Sequence, residues 1–152
     1  MLQAKEVTQI LRAHGYKVTP QRLAVYHALA RTTAHPQAET LYAELLPLYP
    51  TMSLATVYKT LGILCEVGLA QELNVGEDAY RYDANTALHP HICCRVCGRV
   101  DDVSGLSLTG LQREAASCTG YEVTEQQVYF YGVCPACREQ ELRDEAGQRK
   151  VH

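Results

Sequence analysis

Apolar positions recur at helical spacing through four successive segments and then give way to short strand-like runs. The first segment predicts a helix from Gln3 to His14, with Val7, Ile10 and Leu11 on one face and Gly15 to end it. In the second, Thr19 caps and Pro20 takes the first helical position, and Leu23, Val25, Tyr26 and Leu29 supply the apolar face to about Arg31. A third helix starts near Pro36, carries Ala38, Leu41, Tyr42 and Leu45, and is fenced off by Pro47 and Pro50. Ser53 caps a fourth, in which Leu54, Val57, Tyr58, Leu61 and Leu64 recur at helical spacing and Gly68 follows the end. Ala55, Thr56, Lys59 and Thr60 are expected to face outward. Two strand-like runs come next, Leu69 to Val75 and Ala79 to Asp83, joined by Gly76-Glu77-Asp78 as a hairpin. Helices followed by a hairpin describe a winged helix, whose last helix before the hairpin enters the major groove of DNA, although the same pattern alone fits a plain structural domain equally well.

Residues 84–90 read as a linker with a proline stop, between a winged-helix domain over 1–83 and a second domain over 91–152. In the second domain, strand-like His91 to Cys94 and Arg99 to Val103 flank one CxxC. A helix fits Leu108 to Cys118, and Tyr121 to Val133 is a long β-rich run ending in another CxxC. Arg138 to Arg149 fits a charged helix. The fold class is therefore α+β, an N-terminal winged helix-turn-helix followed by an α/β domain with a four-cysteine site.

Composition narrows the setting. At 152 residues and 47% hydrophobic, the chain can bury a core in one domain or in two small ones. No stretch approaches the roughly 18 apolar residues of a membrane span, and the N-terminus has no apolar signal region, so the expected location is cytoplasmic. Seven cysteines, an odd number without an export signal, favour metal binding over a disulfide framework. The net charge of −3 does not announce a nucleic-acid binder. Locally, however, Lys5, Arg12, Lys17, Arg22 and Arg31 stand against Glu6 alone over residues 1–34. On charge alone, a solvated helix face explains such a bias more readily than a nucleic-acid partner does.

Cys94-Arg-Val-Cys97-Gly98 and Cys134-Pro-Ala-Cys137 are two knuckles of the kind that clamp a tetrahedral zinc ion through four thiolates. Each pair puts two sulfurs on one turn, and Gly98 permits the tight backbone this needs. Redox chemistry normally employs a single pair at a helix start, so two matched pairs point to structural zinc. Cys65 and Cys118 fall within helices and read as inert, half-buried small hydrophobes. Cys93 precedes a ligand, and strand alternation should turn it away from the zinc as an exposed thiol.

Asp83, His89, His91 and Asp102 crowd the junction of the two domains, and His35 lies at the start of the third helix. His89 and His91 are two apart, so in an extended segment their rings share one face. Asp102 comes close to them if its strand pairs with the one that holds His91. Three imidazoles and two carboxylates mix borderline and hard ligands, a set suited to Fe(II) or Mn(II) with a coordination position left open. Single histidines are more often structural or solvated, and His14, His27 and the tail residue His152 are read that way.

Gly15-Tyr-Lys-Val-Thr-Pro-Gln-Arg22, His35-Pro-Gln-Ala38, Ser53-Leu-Ala-Thr-Val-Tyr-Lys-Thr-Leu61, Arg81-Tyr-Asp83, His89-Pro-His91 and the two CxxC strings follow one another in the order and spacing of a known family. Over nearly its whole length the chain resembles the ferric uptake regulator (Fur) family. The resemblance implies a homodimeric repressor that binds an inverted repeat in double-stranded DNA when metal-loaded. Ser53 to Cys65 would be the recognition helix, Tyr58 would contact DNA, and Thr19, Arg22, Ser53, Ala55, Thr56 and Lys59 are the other residues expected there. It further implies structural zinc on Cys94, Cys97, Cys134 and Cys137, and regulatory Fe(II) or Mn(II) on His35, Asp83, His89, His91 and Asp102.

Within the family, the iron-sensing branch usually has Glu where this chain has Asp83 and Asp102, whereas Asp at both places is similar to the peroxide-sensing branch, PerR. In that branch peroxide acts at bound Fe(II) and a ligand, His35 or His89 here, is oxidised. The segment from Glu122 to Gly132 lacks the additional histidines of a further site common in iron and zinc sensors, and Val133 stands where many members have His. An iron, manganese or zinc uptake repressor of the same family is the nearest alternative. An enzyme using the open metal position finds no phosphate-cradling glycine loop or nucleophile motif to support it. A zinc-stapled interaction module would bind no DNA at any metal loading.

Overall fold

The computed structural model describes residues 2–76 and 80–149, with side chains through residue 145. The Glu77-Asp78 turn expected in the hairpin, together with Ala79 and His152, lies outside them. The chain forms two compact units, Met1–Ala87 and Leu88–His152. Among the described residues no helix is long and apolar enough to cross a membrane.

The first unit contains α1 (Ala4–Ala13), α2 (Pro20–Ala30), α3 (Ala38–Leu45), α4 (Leu54–Glu66), β1 (Gln71–Asn74) and β2 (Tyr80–Asp83). The starts of α2 and α4 follow from capping. The Thr19 hydroxyl accepts from the Arg22 N–H at 3.2 Å and the Ser53 hydroxyl from the Thr56 N–H at 3.1 Å, each satisfying one of the donors a helix leaves bare at its first turn. Pro36 lies before α3 rather than within it, and the helix opens at Ala38. The C-terminus of α4 is closed by Gly68, at φ +74°, a left-handed conformation that strains any residue with a side chain. Leu69 N–H then bonds back to the Leu64 carbonyl at 2.8 Å and the chain turns into β1.

Val7, Leu11, Val25, Leu29, Leu41, Val57, Leu61 and Leu64 have at most 1% of their surface exposed, so four helices share one core. Burying each such aliphatic side chain stabilises the fold by about 1.5–3 kcal/mol. On α4 two expectations are reversed. Thr60, expected outward, is only 2% exposed, whereas Tyr58, grouped with the apolar positions, is 43% exposed. Position 60 falls on the stripe of 57, 61 and 64, and position 58 lies a quarter-turn away from it, so helical geometry outranks side-chain type. The strands β1 and β2 pair antiparallel, Gln71 opposite Asp83 and Asn74 opposite Tyr80, as the wing.

The second unit contains β3 (His91–Cys94), β4 (Val100–Asp102), α5 (Leu111–Thr119), β5 (Tyr129–Gly132) and α6 (Pro135–Arg149). Its sheet has the order β4-β3-β5. β3 and β4 are antiparallel around the first knuckle, and β5 lies parallel to β3 on the other side. A parallel neighbour requires a long crossover, here the segment that carries α5.

Several expectations for this unit are corrected. The run from Tyr121 to Val133 forms a strand only over Tyr129–Gly132, because β3 offers it four residues to pair with. α5 opens at Leu111, three residues after the expected start, and none of its residues is fully buried within the chain. α6 begins at Pro135, inside the second knuckle. Cys118 on α5 is therefore exposed and not half-buried, while Cys93, expected exposed, is buried. Cys93 sits on the central strand of three, where His91 and Cys94 are buried with it and Ile92 is exposed.

Candidate metal centres

β3 ends at Cys94, the chain turns at Gly98 (φ +72°), and β4 returns beside it. The turn is held by Gly98 N–H donating to the Cys94 carbonyl at 2.9 Å and Cys94 N–H donating to the Arg99 carbonyl at 2.8 Å. Parallel pairing of β5 with β3 then delivers Cys134 to the same end of the sheet, and the first turn of α6 adds Cys137. One sulfur from each of Cys94, Cys97, Cys134 and Cys137 lies within 4.8 Å of the others. Cys97 Sγ and Cys134 Sγ are 3.8 Å apart, the edge of about 3.8 Å that a tetrahedron with zinc–sulfur bonds of about 2.3 Å requires.

The sulfurs differ in how they hold their protons. Backbone N–H groups of Cys97 and Cys134 bring the Cys94 thiol down to about 6, the Cys134 N–H lying 3.3 Å from that sulfur. Hydrogen bonding to the Cys134 sulfur, then burial, pushes Cys137 up to about 12. One preformed thiolate beside one retained proton is a site that a divalent cation completes by displacing protons. The residues present fit zinc.

The other predicted ligands fall into two sets. In the first unit, Tyr82 N–H donates to the Pro36 carbonyl at 3.0 Å, fastening β2 to the loop ahead of α3 and setting His35 beside Asp83. His35 Nε2 and Asp83 Oδ2 are 3.6 Å apart. His35 adopts φ +49°, a left-handed conformation that costs most residues energy and that His tolerates better than most. Asp83 is steadied by the Asn85 N–H on Oδ1 at 2.8 Å and by Gln71 Nε2 on Oδ2 at 3.3 Å.

In the second unit, His91 and Asp102 are direct partners across β3 and β4, so their side chains leave the same face of the sheet. Asp102 Oδ1 is 3.5 Å from His91 Nε2 and 3.1 Å from His89 Nε2. The two imidazole centroids are 4.3 Å apart, the shared face expected from their spacing. Nitrogen and oxygen donors converge in both sets, a chemistry that fits Fe(II) or Mn(II) and not a soft-ligand metal.

Of the residues expected at DNA, Ala55, Tyr58 and Lys59 lie on the exposed side of α4 and Thr56 is half-buried. Thr19 and Ser53 use their hydroxyls as caps. Arg22 donates to the Lys17 carbonyl and stands 6.0 Å from the Tyr16 ring centroid. Sequence reasoning missed Gln71 and Asn85, which hold Asp83, and Glu39, which accepts a hydrogen bond from Tyr58. No local motif marks Gln71 or Glu39, because each reaches its partner from another element, whereas Asn85 acts through its backbone N–H in a local turn that any residue with an N–H could make.

Comparison with known proteins agrees with this geometry. Residues 13–131 match the sequence pattern of the ferric uptake regulator family. A protein of Clostridium acetobutylicum named transcriptional regulator PerR is 50% identical over 134 residues, 88% of this chain and 97% of its own length. The peroxide-responsive repressor PerR of Staphylococcus epidermidis is 36% identical over 130 residues, 86% of this chain and 87% of its own. Among solved structures, the peroxide stress regulator of Campylobacter jejuni is similar with a TM-score of 0.69 and 37% identity, covering 90% of this chain and all of that one.

Proposed function

Because this chain belongs to the ferric uptake regulator family, we propose that it is a metal-dependent transcriptional repressor, not an enzyme, that answers to peroxide. Its relatives of 36% and 50% identity are named as a peroxide-responsive repressor and a transcriptional regulator. The observation that carries the peroxide reading is the aspartate at both carboxylate positions, each lying beside imidazole in its own unit. Zinc on the four cysteines is structural, tying β3, the first knuckle, β5 and α6 into one body.

A regulatory Fe(II) or Mn(II) would be held by His35, Asp83, His89, His91 and Asp102. Bound iron(II) supplies one-electron chemistry towards peroxide. The chain contributes the ligands and the response. An imidazole of His35 or His89 that gained an oxygen atom from peroxide would no longer serve as a ligand. Metal would shift the population towards the DNA-binding state only by its differential affinity, and a ratio of about 10⁴ would convert mostly non-binding into mostly binding protein.

The DNA partner is a double-stranded inverted-repeat operator, met by the α4 of each subunit of a homodimer in successive major grooves. A dimer is supported by α5, none of whose residues is fully buried within its own chain, and by Ile92 and Phe130, adjacent on the sheet and each 39% exposed. Such a repressor acts in the cytoplasm, where its DNA is. The test is a footprint on DNA with and without Mn(II), repeated with the Fe(II) form before and after peroxide. Protection that requires metal and is lost with peroxide only in the Fe(II) form is expected. Metal-dependent protection that survives peroxide would assign the chain to iron or manganese sensing instead.

A further inference from the structure

Positions 55, 58 and 62 of α4 form an exposed stripe, and two of the three are small, Ala55 and Gly62. Tyr58 stands between them 43% exposed, so its ring projects with nothing bulky on the turn before or after it. Its hydroxyl is nonetheless committed. It donates to Glu39 Oε1, 2.5 Å away, in the first turn of α3.

A phenol has one hydrogen to donate and keeps lone pairs that accept, whereas an ionised carboxylate only accepts. With the Tyr58 hydroxyl hydrogen directed at Glu39, the pair turns acceptors alone towards a third partner. The same hydrogen bond, with a smaller contribution from the backbone of Glu39 itself, keeps the carboxyl below the usual range, and it holds the phenol proton in place above its ordinary range. In the major groove, adenine and cytosine present an exocyclic amino donor, while guanine and thymine present acceptor edges.

We infer that Glu39 is a specificity-determining residue: by committing the Tyr58 hydroxyl as an acceptor, it directs the pair to an amino group of adenine or cytosine and against the acceptor edges of guanine and thymine. The inference rests on the DNA-binding reading above. A carboxylate facing a polyanion lowers general affinity, so what the pair contributes is discrimination. A role confined to tethering α3 to α4 would not move base preference.

The test uses the full chain loaded with Mn(II) and a pool of random-sequence duplexes. Wild type is expected to enrich adenine or cytosine at one position per half-site, and an analogue of that base lacking its amino group should weaken binding about tenfold. Glu39→Ala and Tyr58→Phe should each abolish that discrimination at the same position, with Glu39→Ala newly tolerating guanine and thymine. Glu39→Gln, whose carboxamide oxygen still accepts from the phenol but whose amino group adds donors, should keep the preference for adenine or cytosine while weakening the bias against guanine and thymine. Unchanged melting and zinc content establish that the exposed substitutions leave the fold intact. The inference is overturned if Glu39→Ala enriches the same bases with the same discrimination, or if the two variants alter different positions, and DNA binding stands in either case. If wild type enriches no sequence, the repressor reading falls and the inference with it.

Discussion

Cys97 and Cys134 bring their sulfurs to 3.8 Å across 37 positions of chain, and everything between them is thereby closed into one loop through a metal site. A structural zinc contributes folding free energy directly, since the unfolded chain has no such site. Cys97→Ser is expected to lose both the bound zinc and the dimer. Equilibrium ultracentrifugation with metal analysis checks this. A variant that remained dimeric with one zinc per chain would remove these cysteines from the structural role.

Lys59→Ala should weaken DNA binding while leaving Mn(II) affinity unchanged. Lys59 lies exposed on α4 beside Tyr58, placed to meet a phosphate. Losing one phosphate contact lowers the slope of log K against log salt by about 0.9. A slope and affinity equal to wild type would take this face of α4 off the DNA.

Asp102→Glu tests the peroxide assignment. The longer side chain still offers a carboxylate to the cluster of His89 and His91, but it can bind in a different denticity and crowd the open position. Mn(II)-dependent DNA binding should persist while peroxide sensitivity of the Fe(II) form drops. Both proteins are loaded with Fe(II) anaerobically and treated with peroxide. Operator binding is then followed, together with a one-oxygen mass gain on peptides holding His35 and His89. Equal oxidation in the two proteins would contradict the role given to Asp102.

Cysteines outside the zinc set should separate by reactivity. Cys118 is exposed, whereas Cys93 is buried and burial, reinforced by the charge of Glu72, pushes the Cys65 thiol up to about 11. A maleimide at pH 8 is expected to label Cys118 first in zinc-loaded protein. The raised Cys65 value also fixes a sign. The native state holds this proton more tightly than the unfolded chain, so the stabilisation is complete below the ordinary thiol value of 9.0 and is lost as pH rises through about 11. Thermal melting between those pH values should fall less steeply in Cys65→Ala, and identical profiles would refute the assignment.

The two knuckles, the caps at Thr19 and Ser53, the helix that Ser53 opens and the strands β1 and β2 were legible in the sequence because each is local. A CxxC turn with a following glycine, a hydroxyl ahead of a helix and a 3.6-residue apolar repeat are all satisfied within one turn or one element. The same holds for His89 and His91, whose common face needs only an extended backbone between them.

What the chain pattern could not decide were relations set by partners. The strand run from Tyr121 to Val133 shrank to the four residues that β3 can pair with. Thr60 went inward and Tyr58 outward because position on the helix, not polarity, determines which residue meets the core. His35 reaches Asp83 through a backbone bond between Tyr82 and Pro36, and Tyr58 reaches Glu39 across two helices. Such contacts couple residues 19 to 48 positions apart, and only tertiary packing, which closes those loops against chain entropy, selects them.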